Sequence, residues 1–546
     1  MDQGVDGNRR GVTRLWRALR VVVPLAFLAL FFAWPFFVIM RRSLGAHALG
    51  MVLSDPTYRR IAWFTLWQAV VSTVLTLVAG LPVAYVVARY DFPGRRLFRA
   101  VVAVPFVLPT VVVATAFITL LRPGGPLAFL HWQRGVAPMI LAHVFFNVAV
   151  VARTVGSFWA NLDPRREEAA RMLGASPART FWRVTLPLLT PAILAAASIV
   201  FLFTFTSFGI ALLLSDPAHA TLEVAVYNQV IQFGDLHIAA ALAFVQAAAV
   251  FTFVFVLARL QERRAVAQRL VGASDAARRP RGRERVVVAA VLVVTIVFLG
   301  GPLAVLVSKS FHAGGEWSLA SYRALGSADA TSTLFVSPWA AVRNSLVFAA
   351  IATTLALLIG GLASFAIASR PGRGTRTVDA LLMLPLGVSA VTVGFGYLIA
   401  FDRGFFGLAT SPLLVPLAHT VIAVPFVIRA VVPALRSIDA RLRDAATMLG
   451  ASPARVWREV DLPIVGRAFL VAAGFAAAVS LGEFGATLFI ARPDWPTVPI
   501  AIQRFLVRPG EINVGRSLAM SVILMVLTAG VILAIERVRV RQLGEL

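Results

Sequence analysis

The sequence predicts an all-α integral membrane protein of about twelve transmembrane helices, built as two tandem six-helix units. Three observations predict it. Hydrophobic residues make up 59% of the 546 and charged residues only 14%, against roughly 45–50% and ~25% in a soluble domain. Apolar segments of membrane-spanning length, ~17–25 residues, recur along the whole chain. An eight-residue block, Met172 to Arg179, returns letter for letter as Met448 to Arg455. A soluble globular enzyme is excluded, because so few charges could not cover its surface.

The predicted spans are 21–40, 62–87, 101–121, 136–155, 191–213 and 238–260, then 286–308, 345–368, 379–401, 413–433, 468–490 and 518–536. The second and eighth are long, which predicts tilt or extension beyond the hydrocarbon. The third, ninth and tenth carry Pro105, Pro109, Pro385, Pro416 and Pro425. Membrane helices tolerate such prolines where neighbours satisfy the freed backbone groups. The first span follows Arg14, Arg17 and Arg20 and precedes Ala46-His47-Ala48, which imitates a signal-peptidase site. Its 20 apolar residues exceed the roughly 7–15 of a secretory signal, so it reads as a retained span.

Charge fixes the predicted orientation. The net charge is +25, from 51 basic and 26 acidic residues. A basic excess can mean nucleic acid, but here the arginines lie between apolar runs and form no single patch. Segments on one side of the membrane hold 37 of the basic residues and those on the other side 14. The arginine-rich side is expected in the cytoplasm, with both termini, in a multi-pass bacterial inner (plasma) membrane protein. With no cysteine, disulfides, thiol catalysis and zinc–thiolate sites are excluded.

The repeat extends past the eight-residue block. One offset, 276, also relates His143 to His419, Arg153 to Arg429, Asp163 to Asp439, Leu186-Pro187 to Leu462-Pro463, Phe208-Gly209 to Phe484-Gly485 and Thr221 to Thr497. The expected division is a tail at 1–20, a first unit at 21–260 with a long loop at 156–190, and a basic linker at 261–285. A second unit at 286–536 follows, with its loop at 434–466, and a tail at 537–546. Six spans per unit is an even number, so the two units enter the membrane in the same direction and their pseudo-two-fold lies along its normal.

The long loop predicts two short helices. Asp163-Pro164 fits an N-cap and first helical residue, with Glu167 and Glu168 near the positive end of the helix dipole. Gly174 can stop the helix in the left-handed conformation. Ser176-Pro177 restarts it, and Leu186-Pro187 marks the return to the membrane. Asp439, Asp444, Gly450, Ser452-Pro453 and Leu462-Pro463 repeat the plan. A loop shaped alike in both copies reads as a docking element; a solvated connector capped only for its own folding is the plainer alternative.

Glu168-Ala169-Ala170, three residues, Gly174, nine residues, then Val184-x-Leu186-Pro187 resembles the EAA loop of ABC importer permeases. Asp444-Ala445-Ala446, Gly450 and Val460-x-Leu462-Pro463 keep the same spacing. Aspartate replaces the first glutamate there, and valine the usual isoleucine in both copies. The resemblance covers essentially the whole chain, as two permease units fused head to tail. It implies that Glu168, Ala169, Gly174, Ser176, Pro177, Leu186 and Pro187, with Asp444, Ala445, Gly450, Ser452, Pro453, Leu462 and Pro463, couple the pore to two separate ATP-binding cassette subunits. Helices at Ser176–Arg183 and Ser452–Arg458 would lie beside those contacts. The further stretches His143 to Asn147, Ser207 to Gly209, Ala220 to Tyr227 and Leu481 to Gly485 are similar to the fused thiamine and ferric-iron permeases. An extracytoplasmic solute-binding protein is the third implied partner, beside the ATPases and the lipid bilayer, with no nucleic acid.

The remaining chemistry is sparse. A P-loop needs Gly-Lys with a glycine upstream; Lys309, the sole lysine, follows Ser308. Hydrolysis is therefore expected from partner subunits, and the chain is read as a permease and not an enzyme. The seven histidines show no metal-ligand spacing, and no cofactor is expected. His143 and His419 read as hydrogen-bonded structural residues. Glu483, within span eleven and equivalent to Ser207, is the exception: an intramembrane charge should face protein or water. It either meets substrate in transit, with Ser207 on the same pathway, or locks two helices. A gradient-driven secondary transporter of twelve spans is the alternative, but it would have no reason to repeat an EAA-type loop. A membrane enzyme acting on lipid would need an interfacial acidic or histidine cluster, which the sequence lacks. Iron(III) and thiamine are the leading substrate candidates.

Overall fold

A computed structural model describes residues 18–45, 47–264, 278–314, 316–326, 336–369, 372–402 and 408–541. The tail up to residue 17, the linker at 265–277 and the terminal 542–546 lie outside them. The first repeat supplies α1 (Ala18–Ser43), α2 (Pro56–Arg89), α3 (Arg95–Val107), α4 (Thr110–Leu121), α5 (Val136–Ala160) and α6 (Arg165–Met172). It continues with α7 (Pro177–Phe205), α8 (Gly209–Leu214), α9 (Leu222–Asn228) and α10 (Leu236–Arg264). The second supplies α11 (Arg283–Ser310), α12 (Pro338–Ser369), α13 (Arg373–Met383), α14 (Ala390–Ala400), α15 (Leu414–Arg436) and α16 (Ala440–Met448). It ends with α17 (Trp457–Gly482), α18 (Gly485–Ile490), α19 (Val498–Leu506) and α20 (Glu511–Arg541). The one strand pair among the described residues is His312–Ala313 with Glu316–Trp317.

Ten described helices are long and apolar enough to cross a bilayer, and two bent pairs bring the number to twelve. The long second and eighth spans are single helices of 34 and 32 residues. At ~1.5 Å per residue each runs close to 50 Å, well beyond a ~30 Å hydrocarbon core. Asp55 starts α2, its carboxylate accepting from the Thr57 N–H at 2.7 Å, with Pro56 in the first turn.

Four predicted spans need correction. Span three, 101–121, is α3 and α4 meeting at 101°, and span nine, 379–401, bends by 95° before α14. Pro109 supplies the first break: it has no N–H, holds an extended backbone, and caps α4 through its carbonyl, which accepts from Val112 and Val113. Pro385, in a short 3₁₀ turn at Leu384–Gly387, marks the second. Spans five and eleven, 191–213 and 468–490, are not continuous either. Their helices end at Phe205 and Gly482, and the short α8 and α18 follow a break.

By its contacts the chain divides into two compact units, one of residues 47–320 and one of residues up to 46 with 321–546. Each therefore exchanges its first helix relative to the sequence repeat: α11 packs with the first repeat and α1 with the second. In the unit of 47–320 the core gathers Ala84, Val151, Val155, Trp159, Leu189 and Val200, and Val288 of α11 packs on Val86 and Tyr90. In the other unit Leu28 and Phe32 of α1 join Ala356, Val424, Val427 and Ala472. One device recurs in both. Gly80 lets α2 approach α5 so closely that a Cβ there would lie 2.6 Å from Val151 Cβ. Gly360 does the same for α12 against Val427, at 2.9 Å from its Cβ. Val427 is 276 residues beyond Val151 but Gly360 is 280 beyond Gly80, so this helix carries a four-residue shift in the repeat.

Candidate functional site

The duplicated loop adopts one backbone plan twice. Asp163 Oδ1 accepts from the Arg165 N–H at 3.0 Å, and Asp439 Oδ1 from the Arg441 N–H at 3.0 Å. The first helix starts at Arg165, one residue later than the sequence suggested. Gly174 and Gly450 both sit at φ +83°, the left-handed region that glycine enters without a Cβ clash. Around each, the Schellman pattern is complete. Gly174 N–H donates to the Arg171 carbonyl and Ala175 N–H to that of Ala170; Gly450 donates to Thr447 and Ala451 to Ala446. Ser176 Oγ then accepts from Arg179 N–H at 3.3 Å and Ser452 Oγ from Arg455 N–H at 3.4 Å, with Pro177 and Pro453 opening the next helix.

That next helix does not stop, which corrects the separate helices expected at Ser176–Arg183 and Ser452–Arg458. It runs through a π turn, Phe181–Thr185 or Trp457–Asp461, into α7 or α17. Pro187 and Pro463 explain the turn: each lacks the N–H that would continue the regular ladder. Leu186 and Leu462 donate instead to the carbonyls five residues back, Phe181 and Trp457. The second half of the loop is thereby continuous with a membrane helix.

Of the predicted contacts, Glu168, Ala169, Gly174, Ser176 and Pro177 are exposed, as are Asp444, Ala445, Gly450 and Ser452. Leu186 is half-buried; Pro187, Leu462 and Pro463 are exposed at the start of the membrane helix. Sequence reasoning missed the tip itself. Met172 and Leu173, at 88% and 89%, and Met448 and Leu449, both at 89%, are exposed apolar pairs. Their membership of the letter-for-letter repeat was the available signal. It also missed the anchor, which is Glu167 and not Glu168. Glu167 Oε1 accepts from Arg89 Nη2 at 2.6 Å and from Thr185 Oγ1 at 3.0 Å. At the equivalent positions Arg443 Nε donates to Asp461 Oδ1 at 2.8 Å. The same tie from loop helix to π turn is made with the charge reversed.

The other predicted residues meet deeper in each unit. His143 is buried, with ring nitrogens 3.2 Å from Ser72 Oγ and 2.9 Å from Ser207 Oγ. His419 is buried likewise, 2.7 Å from Ser480 Oγ and 2.8 Å from Thr487 Oγ1. Glu483 lies 3.2 Å from His419 Nε2. Its carboxylate also accepts from the Ala486 N–H at 2.8 Å, the Thr487 N–H at 2.9 Å and the Thr487 hydroxyl. So Ser207 and Glu483 both bond the duplicated histidine beside the break that follows α7 or α17. No group of three or more His, Asp or Glu able to hold a metal occurs among the described residues.

The family described as the binding-protein-dependent transport system inner membrane component matches residues 77–267, which include the first loop. The putative 2-aminoethylphosphonate transport system permease protein PhnV of Salmonella typhimurium is 31% identical over 267 residues, 49% of this chain and 98% of that protein. The chain belongs to this family of permeases. The thiamine transport system permease protein ThiP of Brucella abortus is 26% identical over 502 residues, 88% of each chain. The first of these relatives matches half of this chain over nearly its own full length, and the second matches most of both chains. This is an internally duplicated, multi-pass ABC importer permease. A chain of a bacterial ABC transporter that imports alginate is 17% identical with a TM-score of 0.40, covering 46% of this chain and 98% of that one.

Proposed function

We propose that this permease imports thiamine, delivered by an extracytoplasmic solute-binding protein and driven by two ATP-binding cassette subunits that seat on the duplicated loops. The substrate rests on one observation: the relative that aligns with both repeats is a thiamine transport system permease. PhnV, more similar but over half of the chain, supports 2-aminoethylphosphonate as a second reading, and iron(III) is the remaining candidate. Coupling rests on the loop geometry. Two Met-Leu tips stand in solvent at the turn between a capped, ion-paired loop helix and the helix that continues into the membrane part of α7 or α17, so displacement of a tip is carried into a membrane helix. The charge asymmetry supports a cytoplasmic location for the loops and both termini.

Glu483 is read as a tie between α15 and the break before α18, because its acceptors already serve four internal donors. Glu483→Gln should therefore retain uptake while lowering thermal stability; lost uptake with unchanged stability would reassign it to the substrate pathway. The decisive experiment reconstitutes the permease with the binding protein and ATPase subunits encoded beside it. ATP-dependent uptake of labelled thiamine, resistant to excess 2-aminoethylphosphonate and iron(III), is expected. Uptake of either competitor without thiamine would displace the substrate assignment and leave the permease intact.

A further inference from the structure

Behind the first loop, where α2, the end of α5 and the start of α7 meet, lies a cavity of about 380 Å³. That is ample for a bound organic group. One wall is apolar and includes Val78 and Leu81 of α2; Val78 is 64% exposed on the outer surface of that membrane helix. The apolar wall therefore runs out onto the exposed surface of α2. Trp159 and Thr180 also line the cavity, are 3% and 2% exposed, and present Nε1 and Oγ1 atoms that are buried without a hydrogen-bond partner. Buried donors left unpaired are costly, so this is an unusual place for two. Arg171, exposed, stands at the same cavity, as does Glu167, whose charge is met by Arg89.

The second repeat lacks these features at the matching positions. Trp159 becomes Leu435, Thr180 becomes Val456 and Arg171 becomes Thr447. Leu81 corresponds to Gly361, where the Phe469 ring lies 3.0 Å from the place a Cβ would occupy. Phe469 stacks with Phe365, which packs edge-on against Trp457. Tyr85 and Phe181, which line the cavity and pack on Trp159, recur as Phe365 and Trp457, whereas the two orphan donors do not recur. A structural need common to both loops does not explain the donors.

We propose that this cavity binds an anionic membrane phospholipid. Its phosphate or ester oxygens accept hydrogen bonds from Trp159 Nε1 and Thr180 Oγ1, Arg171 supplies the opposite charge, and an acyl chain leaves over Leu81 and Val78. A water-soluble anion would satisfy the donors but leave the apolar wall uncovered.

The test uses the full-length protein in phosphatidylcholine nanodiscs, titrated with acyl-brominated phosphatidylglycerol. The difference in quenching between the wild type and Trp159→Phe isolates one of the 11 tryptophans. Saturable quenching of that component is expected, with affinity weakened about tenfold by Thr180→Val, the loss of one hydrogen bond to a charged group. Valine is the residue the second repeat carries there, and unchanged thermal stability of the variant excludes misfolding. Equal quenching by brominated phosphatidylcholine, insensitive to Thr180→Val, would mean ordinary boundary lipid and overturn the proposal. Displacement of the lipid by inorganic phosphate at equal concentration would also overturn it, assigning the cavity to a soluble anion.

Discussion

Glu167 and Arg443 hold one position of the duplicated loop with opposite charge, and their surroundings predict similar consequences of losing them. The partner each leaves behind is nearly covered: the Arg89 side chain is 9% exposed and that of Asp461 12%. Glu167→Ala strands a buried guanidinium and should cost about 1–3 kcal/mol. Arg443→Ala strands a buried carboxylate and should cost a similar amount. Thermal unfolding of the two variants in detergent measures both losses, and a negligible loss in either would count against this account of the anchor. Gly174 carries a separate prediction. No atom lies within 4 Å of the Cβ an alanine would add, so Gly174→Ala meets no clash and acts through φ alone. It should destabilise the local turn by about 1–2 kcal/mol, seen as lost hydrogen-exchange protection at the Ala175 amide, with uptake reduced more than global stability.

Between α2 and α5, and again between α12 and α15, a glycine faces a valine at less than normal Cβ separation. Gly80→Ala should cost about 1–3 kcal/mol through overpacking, and Val151→Gly in the same chain, which removes the opposing Cβ, should relieve the clash where Val151→Ala, which keeps it, does not; Gly360 with Val427 should behave alike. Double-mutant cycles read by thermal unfolding check both pairs. These contacts also show where the sequence stops being informative. Caps, the two left-handed glycines and the loop helices were legible, because each depends on residues within a few positions. The bends at Pro109 and Pro385 were not. A proline tells where a backbone hydrogen bond is missing, and only the neighbouring helices determine the angle. The π turns before Pro187 and Pro463 were hidden for a related reason: a regular helix and a five-residue turn share the same apolar pattern. The Glu167 tie escaped because its partner, Arg89, lies on another helix.

The twelve apolar runs and the duplication were legible from composition and one offset, but the packing units were not, since nothing in an apolar helix names its neighbours. Each repeat made alone would lack a helix of the unit it packs into. Residues 1–270 expressed alone should therefore be degraded, and co-expression with 271–546 should protect them, measured by steady-state level and protease resistance. Stability of the first fragment by itself would argue that α11 is dispensable to its unit. The same exchange sets a timetable for biosynthesis. α1 leaves the ribosome well before the helices it rests on, which are translated only after the entire first repeat. Until then its apolar surface must be sheltered by lipid or by the insertion machinery, so ribosome stalling or truncation in the second half would leave α1 as an exposed target for quality-control proteases.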